Sequence, residues 1–448
     1  MLRLPRAAEP LVCAFSVAFT RPTFQRVLVL FLGAVLSLRH RTVTGMLRAV
    51  GPLARGHWSD FHRVFCCRVW SCWPLGKVLA ALVLELIPAD QPVICPVDDT
   101  TPRHKGKKVY GKGCHHDACR STHSHVVWVW GHKWVTLAIN VKFPFASRPW
   151  ALPVLCALYR PVKLNQSEHR RHKKPIDLAM PLMAALIHWF PGRKFILLGD
   201  GGYASHELAR FCHRHHRHVT LVSRFHPDAN LYEAPGPGRS KKGGRPRIKG
   251  TRLPKPAEAV KASKARRFTV NWYGGKRRRV ELIWGEGHWY KAGDGLVPVR
   301  WVFVHDIEGT HRDEHFYSTD PTMPPEQIVS LYTGRWSIEV TFQEVRAHLG
   351  FHTPRNWSRP SVLRTAPCLL GLFSVISLIF DHHTRGKGVP TACFAWYAKT
   401  ETTFADAMAC VRRLCWSEVF QQSPKHAGVT KLPRPLRIML LDQLSRAA

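Results

Sequence analysis

The sequence predicts an α/β protein, a sheet covered by helices, preceded by a helical segment and interrupted by a basic, turn-rich stretch. Across 22–87 apolar residues recur at three- and four-residue steps, through Phe24, Val27, Leu28 and Phe31 and again through Val78, Leu82 and Leu86, which is the helical period. From 92 onward, β-branched and aromatic runs at 92–97, 125–143, 194–198 and 219–223 alternate with helical patterns at 175–190 and 203–213. Strands alternating with helices build a helix-covered sheet. At 227–264 Pro, Gly, Lys and Arg displace every apolar period, which marks a flexible loop or linker.

Pro88 closes the first segment, which reads as a helical bundle, with a helix-turn-helix around the short basic stretch 42–55 as the alternative. Past the basic loop, 268–273, 280–284 and 299–305 alternate in the β manner. Pro324 and Pro325 then open a helical tract that runs to Leu349, where Gly350 stops it. The tail beyond 357 is mostly helical and most apolar at 369–380.

The 448 residues carry 66 Lys and Arg against 30 Asp and Glu, a formal charge of +36. A folded surface so charged repels itself unless a polyanion neutralises it, and nucleic acid is the first candidate. A membrane partner is not expected: the apolar runs 27–37 and 366–380 are too short or broken by Pro367, and read as buried helices. The apolar stretch 11–19 behind Arg3 and Arg6 lacks a small-residue cleavage site, so the N terminus is expected to be retained. Thirteen cysteines scattered from Cys13 to Cys415 fit reduced thiols, and the expected location is the cytoplasm, on the nucleoid when DNA is bound.

An enzyme that cuts phosphodiesters needs divalent ions held by hard carboxylate oxygens, two of them about 3.5–4 Å apart. In a chain so poor in acid, carboxylates at the tips of apolar strands stand out, because burying one without a compensating cation is costly. Ile94-Cys95-Pro96-Val97 runs into Asp98-Asp99-Thr100, and Phe195-Ile196-Leu197-Leu198-Gly199 runs into Asp200-Gly201-Gly202-Tyr203. Each alone is no more than a strand followed by a turn or cap residue. A third segment changes the weighing: in Tyr332-Thr333-Gly334-Arg335-Trp336-Ser337-Ile338-Glu339, spacings of four and seven put Arg335, Glu339 and Arg346 on one helix face. Surface Arg–Glu pairing accounts for that face but not for Tyr332 or for the two strand ends.

These residues resemble the insertion-sequence transposases of the DDE class, which carry a Y-x2-R-x3-E-x6-K signature. Tyr332, Arg335 and Glu339 match it, and Arg346 stands where the family has Lys. Val97-Asp98-Asp99-Thr100 is similar to the family's first-Asp motif, which points to Asp98, and Asp200 followed by Tyr203 is similar to its second. The resemblance extends over 15–357. It implies an RNase H-like mixed sheet flanked by helices, with Asp98 on the first strand, Asp200 at the end of the fourth and Glu339 on a helix. It implies, further, a β-rich insertion between Asp200 and Glu339. The expected divisions are a helical, DNA-binding 1–90, a catalytic 91–225, an insertion at 226–318, a second catalytic part with the Glu helix at 319–360 and a helical 361–448. By resemblance Asp98, Asp200 and Glu339 bind two Mg²⁺, with Mn²⁺ as the alternative ion. Arg335 and Arg346 grip phosphates and Tyr332 positions the backbone. The partners implied are double-stranded DNA, at transposon ends and target, and a second copy of the chain. A non-catalytic basic DNA binder and an RNase H-like nuclease without strand transfer are the alternatives.

Three further clusters stand out in the sequence. Gly243-Gly244-Arg245-Pro246-Arg247 is similar to an AT-hook core, and with Lys241 and Lys242 it belongs to a stretch, 239–267, that holds twelve Lys and Arg against one Glu. Phosphate binding is the expectation there, with a solvated linker as the alternative. Cys114, His115, His116, Asp117, Cys119, His123 and His125 crowd together, but their spacing lacks the paired ligands of a closed zinc site. Trp272, Trp284, Trp289 and Trp301 read as sheet-core residues, with stacking on an unpaired base as the lesser reading.

Overall fold

The computed structural model describes residues 3–38, 40–117, 120–236, 247–389, 393–394, 396–422 and 427–446. Helices α1 (Glu9–Cys13), α2 (Arg21–Leu36), α3 (Val43–Val50), α4 (Trp58–Cys66) and α5 (Cys72–Leu84) come first. Strands β1 (Val93–Thr100), β2 (Gly113–His116), β3 (Trp128–Gly131), β4 (Lys133–Val141) and β5 (Trp150–Tyr159) precede α6 (Val162–Ser167) and α7 (Pro175–Trp189). Then follow β6 (Phe195–Gly199), α8 (His206–Arg214), β7 (Val219–Arg224), β8 (Leu231–Tyr232) and α9 (Pro256–Ala262). Next are β9 (Arg266–Asn271), β10 (Arg277–Lys291), β11 (Gly295–Asp306), β12 (Glu314–Ser318), α10 (Pro325–Gly334), α11 (Ser337–His348) and α12 (Arg359–Thr384). The last are β13 (Cys393–Phe394), β14 (Tyr397–Ala398), α13 (Phe404–Gln422), α14 (Ala427–Thr430) and α15 (Arg434–Arg446).

Among the described residues ten strands form one sheet, in the order β5-β4-β1-β6-β7-β12-β11-β10-β8, with β9 on β10. The first half is the RNase H-like arrangement: β5, β4 and β1 pair antiparallel, while β1, β6 and β7 pair parallel. Every residue of β6 is buried, so its unbroken apolar run serves a strand covered on both faces. The β-rich segment after Asp200 is no detached lobe. β12 pairs antiparallel with β7, and β11 and β10 extend the same sheet beyond it.

Several expectations shift. No strand was expected at 150–159; β5 lies at the end of the sheet order and takes Pro153 beside a register shift, a place where a strand tolerates a residue without an N–H. The stretch 42–55 is less turn-like than expected: Thr42 Oγ1 accepts from Gly45 N at 3.1 Å and starts α3. The basic stretch 227–264 contains β8 and α9, with Leu231 buried, and residues 237–246 lie outside the described chain. The helix expected over 324–349 is two helices, α10 and α11, parted at Arg335 and Trp336. Among the described residues α12 alone has the length and apolarity of a membrane span, but 67% of its most apolar window is buried inside the molecule. Its Ser374 Oγ donates to Pro153 O on β5 at 2.8 Å. The buried Arg41 ties the N-terminal helices to α11 by donating from Nη2 to His348 O at 2.5 Å.

Candidate active site

β1 and β6 run parallel with Val97 opposite Gly199, so the next residue on each strand, Asp98 and Asp200, emerges side by side at adjacent carboxyl ends. These ends lie where β1 turns from an antiparallel neighbour, β4, to a parallel one, the kind of switch point at which open α/β sheets bind ligands. The Asp200 side chain caps the turn that follows by accepting from Gly202 N at 2.9 Å. Gly199 is required by close approach: a Cβ there would stand 2.7 Å from Cβ of Tyr203. Tyr203 is buried, its hydroxyl has no hydrogen-bond partner among the described residues, and it lies in the field of Asp99, Asp98 and Asp200.

The break between α10 and α11 positions the third carboxylate. Arg335, at the break and buried, donates from Nη1 to Asp98 Oδ2 at 3.0 Å and from Nη2 to Glu339 Oε1 at 2.9 Å. One planar fork thus spans the first-strand Asp and the helix Glu, a geometry that Lys cannot reproduce. Arg346, two turns further along α11, donates to Thr100 Oγ1 at 3.0 Å, just past the Asp pair. Lys133 on β4 meets Asp99 Oδ2 at 3.3 Å.

The charges are not balanced. Burial and the facing Asp200 carboxylate push Asp98 up to about 8, with Arg335 pulling the other way. Asp99 is raised too, by burial, against the pull of Lys133. Arg335 is shifted up despite its burial, by Asp98 and Glu339. Hard oxygen donors at adjacent strand ends, an acid raised for want of positive charge and an orphaned phenol hydroxyl together suit a divalent cation. Among the described residues, however, no three His, Cys, Asp or Glu side chains close around a single point, and between Asp98 and Glu339 the Arg335 guanidinium stands where a cation would.

Beside Asp200 opens a cavity of about 460 Å³, lined by Arg224, Tyr273, Tyr332, Arg335 and Trp336 among others. Its far wall is built on Asp306 at the end of β11. Arg278 grips Asp306 through two bonds of 2.7 Å, and the backbone N–H groups of Thr310 and His311 donate to it at 3.0 Å. Burial raises this carboxyl, but Arg278 and the converging donors outweigh it and hold it well below the usual carboxylate range. Its stabilisation is therefore present above the ordinary carboxylate value of about 4 and is lost as pH falls towards the depressed native value. Asp306→Asn is expected to cost about 3–5 kcal/mol at pH 7, since it removes the buried charge that Arg278 grips and leaves Arg278 only the exposed Glu308 at 3.3 Å, and the deficit should narrow at pH 3. Urea unfolding at the two pH values reads this directly, and equal midpoints at pH 7 would show that the cluster contributes nothing.

The other expected residues distribute as follows. Tyr332 is buried, with its ring stacked on Phe316 at 4.0 Å, and it forms a wall of the cavity. Lys241, Lys242 and Arg245 lie outside the described residues, and Arg247 is exposed. Several basic residues of 239–267 are engaged: Lys249 sits 4.4 Å from the Tyr232 ring and Arg267 pairs with Glu281 at 3.0 Å. On β2, Cys114 and His116 face out while His115 faces in, so the cluster does not converge; Cys119 lies outside the described residues. Trp272, Trp289 and Trp301 are buried and Trp284 half-buried. Lys133, Arg224, Trp336 and Asp306 were not expected at the site. Only Lys133 carried a local signal, a cation at the start of a strand that pairs with the Asp-bearing one.

Strand order and neighbouring acidic strand ends are those of an RNase H-like sheet. The chain belongs to the DDE superfamily endonucleases, whose family profile matches residues 14–279, a span that includes Asp98 and Asp200 and stops short of Glu339. It is also similar to a piggyBac transposase in a synaptic complex with hairpin DNA, at 11% identity and a TM-score of 0.42, over 98% of this chain and 81% of that one. No curated protein sequence matches it.

Proposed function

We propose that this chain is a DNA transposase that cuts at the ends of a mobile element and joins the freed ends to target DNA, with Asp98, Asp200 and Glu339 as its catalytic carboxylates. The observation that carries the reading is the adjacency of Asp98 and Asp200 at parallel strand ends, with Glu339 linked to them through Arg335. Two Mg²⁺, replaceable by Mn²⁺, would be held by these three side chains and would supply phosphate neutralisation and a water or hydroxyl of lowered pKa. Arg335 keeps Asp98 and Glu339 oriented, and Arg346 with Lys133 sets positive charge beside them for the phosphate backbone. Tyr332 and Arg335 line the cavity beside Asp200, where the backbone would lie. Arg247 and the neighbouring Lys241, Lys242 and Arg245 add phosphate contacts, consistent with the charge of +36. Two ends must be held at once, so the working unit is a homodimer on double-stranded DNA.

The test is incubation of the protein with DNA carrying the ends that flank its gene and with a target plasmid, in Mg²⁺ and in EDTA. Metal-dependent cutting at the ends followed by joined products is the expected outcome. Cutting with no joined product would favour a nuclease without strand transfer, and salt-sensitive binding with no cutting would favour a DNA binder.

A further inference from the structure

On the side of the sheet reached by β1 as it runs out past Asp98, a second cleft of about 1200 Å³ opens. Its floor is β3, which pairs with β2 in a two-stranded sheet apart from the large one. Along β3 burial alternates: Trp128 and Trp130 are 62% and 60% exposed, while Val129 and Gly131 face inward. Trp357, 68% exposed, lines the same cleft. Tryptophan is among the most buried residue types on average, so three open indole rings in one cleft require an explanation.

The rings are held out by construction. His104 N donates to Trp130 O at 3.0 Å and His132 N to Pro102 O at 3.1 Å, which fastens the hairpin to the loop that follows β1. Gly131 lies so close to that loop that a Cβ would come 2.1 Å from Pro102 O. Across the cleft, Tyr110 N donates to Trp357 O at 3.0 Å.

The walls are cationic. Lys105, Lys107 and Lys108 are exposed, and Arg103, Lys112 and Arg359 line the cleft with them. Lys112 Nζ stands 5.3 Å from the Trp130 ring, so an ammonium and an aromatic face are presented together. Glu168, the one acid among the described lining residues, is engaged by Arg160 and Arg170 at 2.5 and 3.0 Å. Apolar rings alone would suit a protein partner, but rings alternating with uncompensated cations suit a polyanion whose repeating unit carries an aromatic face. In a duplex those faces are hidden within the stack, whereas an unpaired strand offers them.

We infer that this cleft binds unpaired DNA, with bases stacked on Trp128, Trp130 and Trp357 and the backbone on the lysines of 105–112. The cleft is continuous with the carboxylate edge: Arg103 N donates to His352 Nδ1 at 3.1 Å, and Thr100, which Arg346 holds, is three residues before Arg103. The inference rests on the DNA-cutting reading for the identity of the polyanion, and it adds that the strand leaving the carboxylates is melted there.

The experiment uses the full chain in EDTA, where cutting is not in play, so that failure of the cutting reading and failure of this one are told apart. Labelled oligo-dT of about 12 nucleotides, an abasic strand of the same length and a duplex are compared by fluorescence polarisation at fixed salt. Wild type is expected to bind oligo-dT about a hundredfold tighter than the abasic strand. Each of Trp128→Ala, Trp130→Ala and Trp357→Ala should weaken oligo-dT binding about fivefold or more and leave abasic binding unchanged. Trp130→Phe should keep most of the preference. The inference is overturned if abasic and base-bearing strands bind alike, or if the Ala variants bind as wild type. It is also overturned if the Ala variants instead abolish a concentration-dependent dimer, which would make the cleft a protein interface. Because the rings are exposed, the single variants are expected to melt within a few degrees of wild type, which circular dichroism checks.

Discussion

Asp200→Asn is expected to lower metal-dependent DNA cutting by about a thousandfold and to leave the fold intact. The two halves of that expectation have separate causes. Asp200 caps the turn after β6 by accepting from Gly202 N, and asparagine is as good a cap as aspartate, so the local stability cost should be under about 0.5 kcal/mol. What the substitution removes is charge, at the one proposed ligand not engaged by Arg335. Taking away a group that stabilises transition-state charge commonly costs about 10²–10³ in rate, and a metal ligand belongs at the upper end because the ion is weakened with it. Combining Asp200→Asn with Glu339→Gln should add little, since groups that act as a unit lose most of their effect together. The assay compares cleavage of end-bearing DNA by the single and double variants, alongside urea unfolding of each. Wild-type cutting by Asp200→Asn would remove it from the site, whatever the other two residues do.

The parts of this arrangement that were legible in the sequence are those fixed by local pattern. Four apolar residues running into Asp200, and a similar run into Asp98, mark strands whose tips carry acid, and the sheet does set them side by side. The helix Glu was legible because Arg335, Glu339 and Arg346 share a spacing. What was not legible depends on register and on long-range pairing. That Arg335 would turn inward to Asp98, 237 positions away, instead of outward to phosphate, is decided by the break between α10 and α11, and a continuous helical period over 324–349 hides that break. β5 carries Pro153 beside a register shift at the end of the sheet order, a placement set by pairing with β4 and not by local pattern. The union of β10–β12 with the main sheet rests on β12, five residues long, pairing with β7 across about ninety positions. The open indoles of Trp128 and Trp130 were hidden for the opposite reason. A Trp- and Val-rich run reads as buried strand, and only the hairpin's separation from the main sheet leaves one of its faces uncovered.

Arg335→Ala should be the most destabilising single change at the site, by about 3–5 kcal/mol in the absence of metal. Arg335 and Asp98 are both largely buried, at 8% and 14% side-chain exposure, so solvent screens the pair weakly and its loss leaves an uncompensated carboxylate beside Asp200. The pH dependence follows from the direction of the Asp98 shift. A carboxyl raised to about 8 in the native state binds its proton more tightly folded than unfolded, so ionising it costs stability, and that cost grows from about pH 4 to pH 8. Removing Arg335 takes away the attraction that limits this cost. The deficit of Arg335→Ala should therefore be level between about pH 4 and pH 8, where folded Asp98 holds its proton with or without Arg335, and grow above pH 8, where wild type ionises Asp98 and the variant resists it. A divalent ion placed among the same carboxylates does what the guanidinium did, so Mg²⁺ or Mn²⁺ should raise the stability of Arg335→Ala by more than that of wild type. Arg335→Lys should fall between, because a point charge can serve Asp98 or Glu339 but not both. Urea unfolding of the three proteins at pH 5 and pH 8.5, with EDTA and with Mn²⁺, measures every term. If Arg335→Ala unfolds within about 0.5 kcal/mol of wild type at pH 8.5 in EDTA, a span too small for a buried pair, the bridge between Asp98 and Glu339 is not what holds this edge of the sheet together.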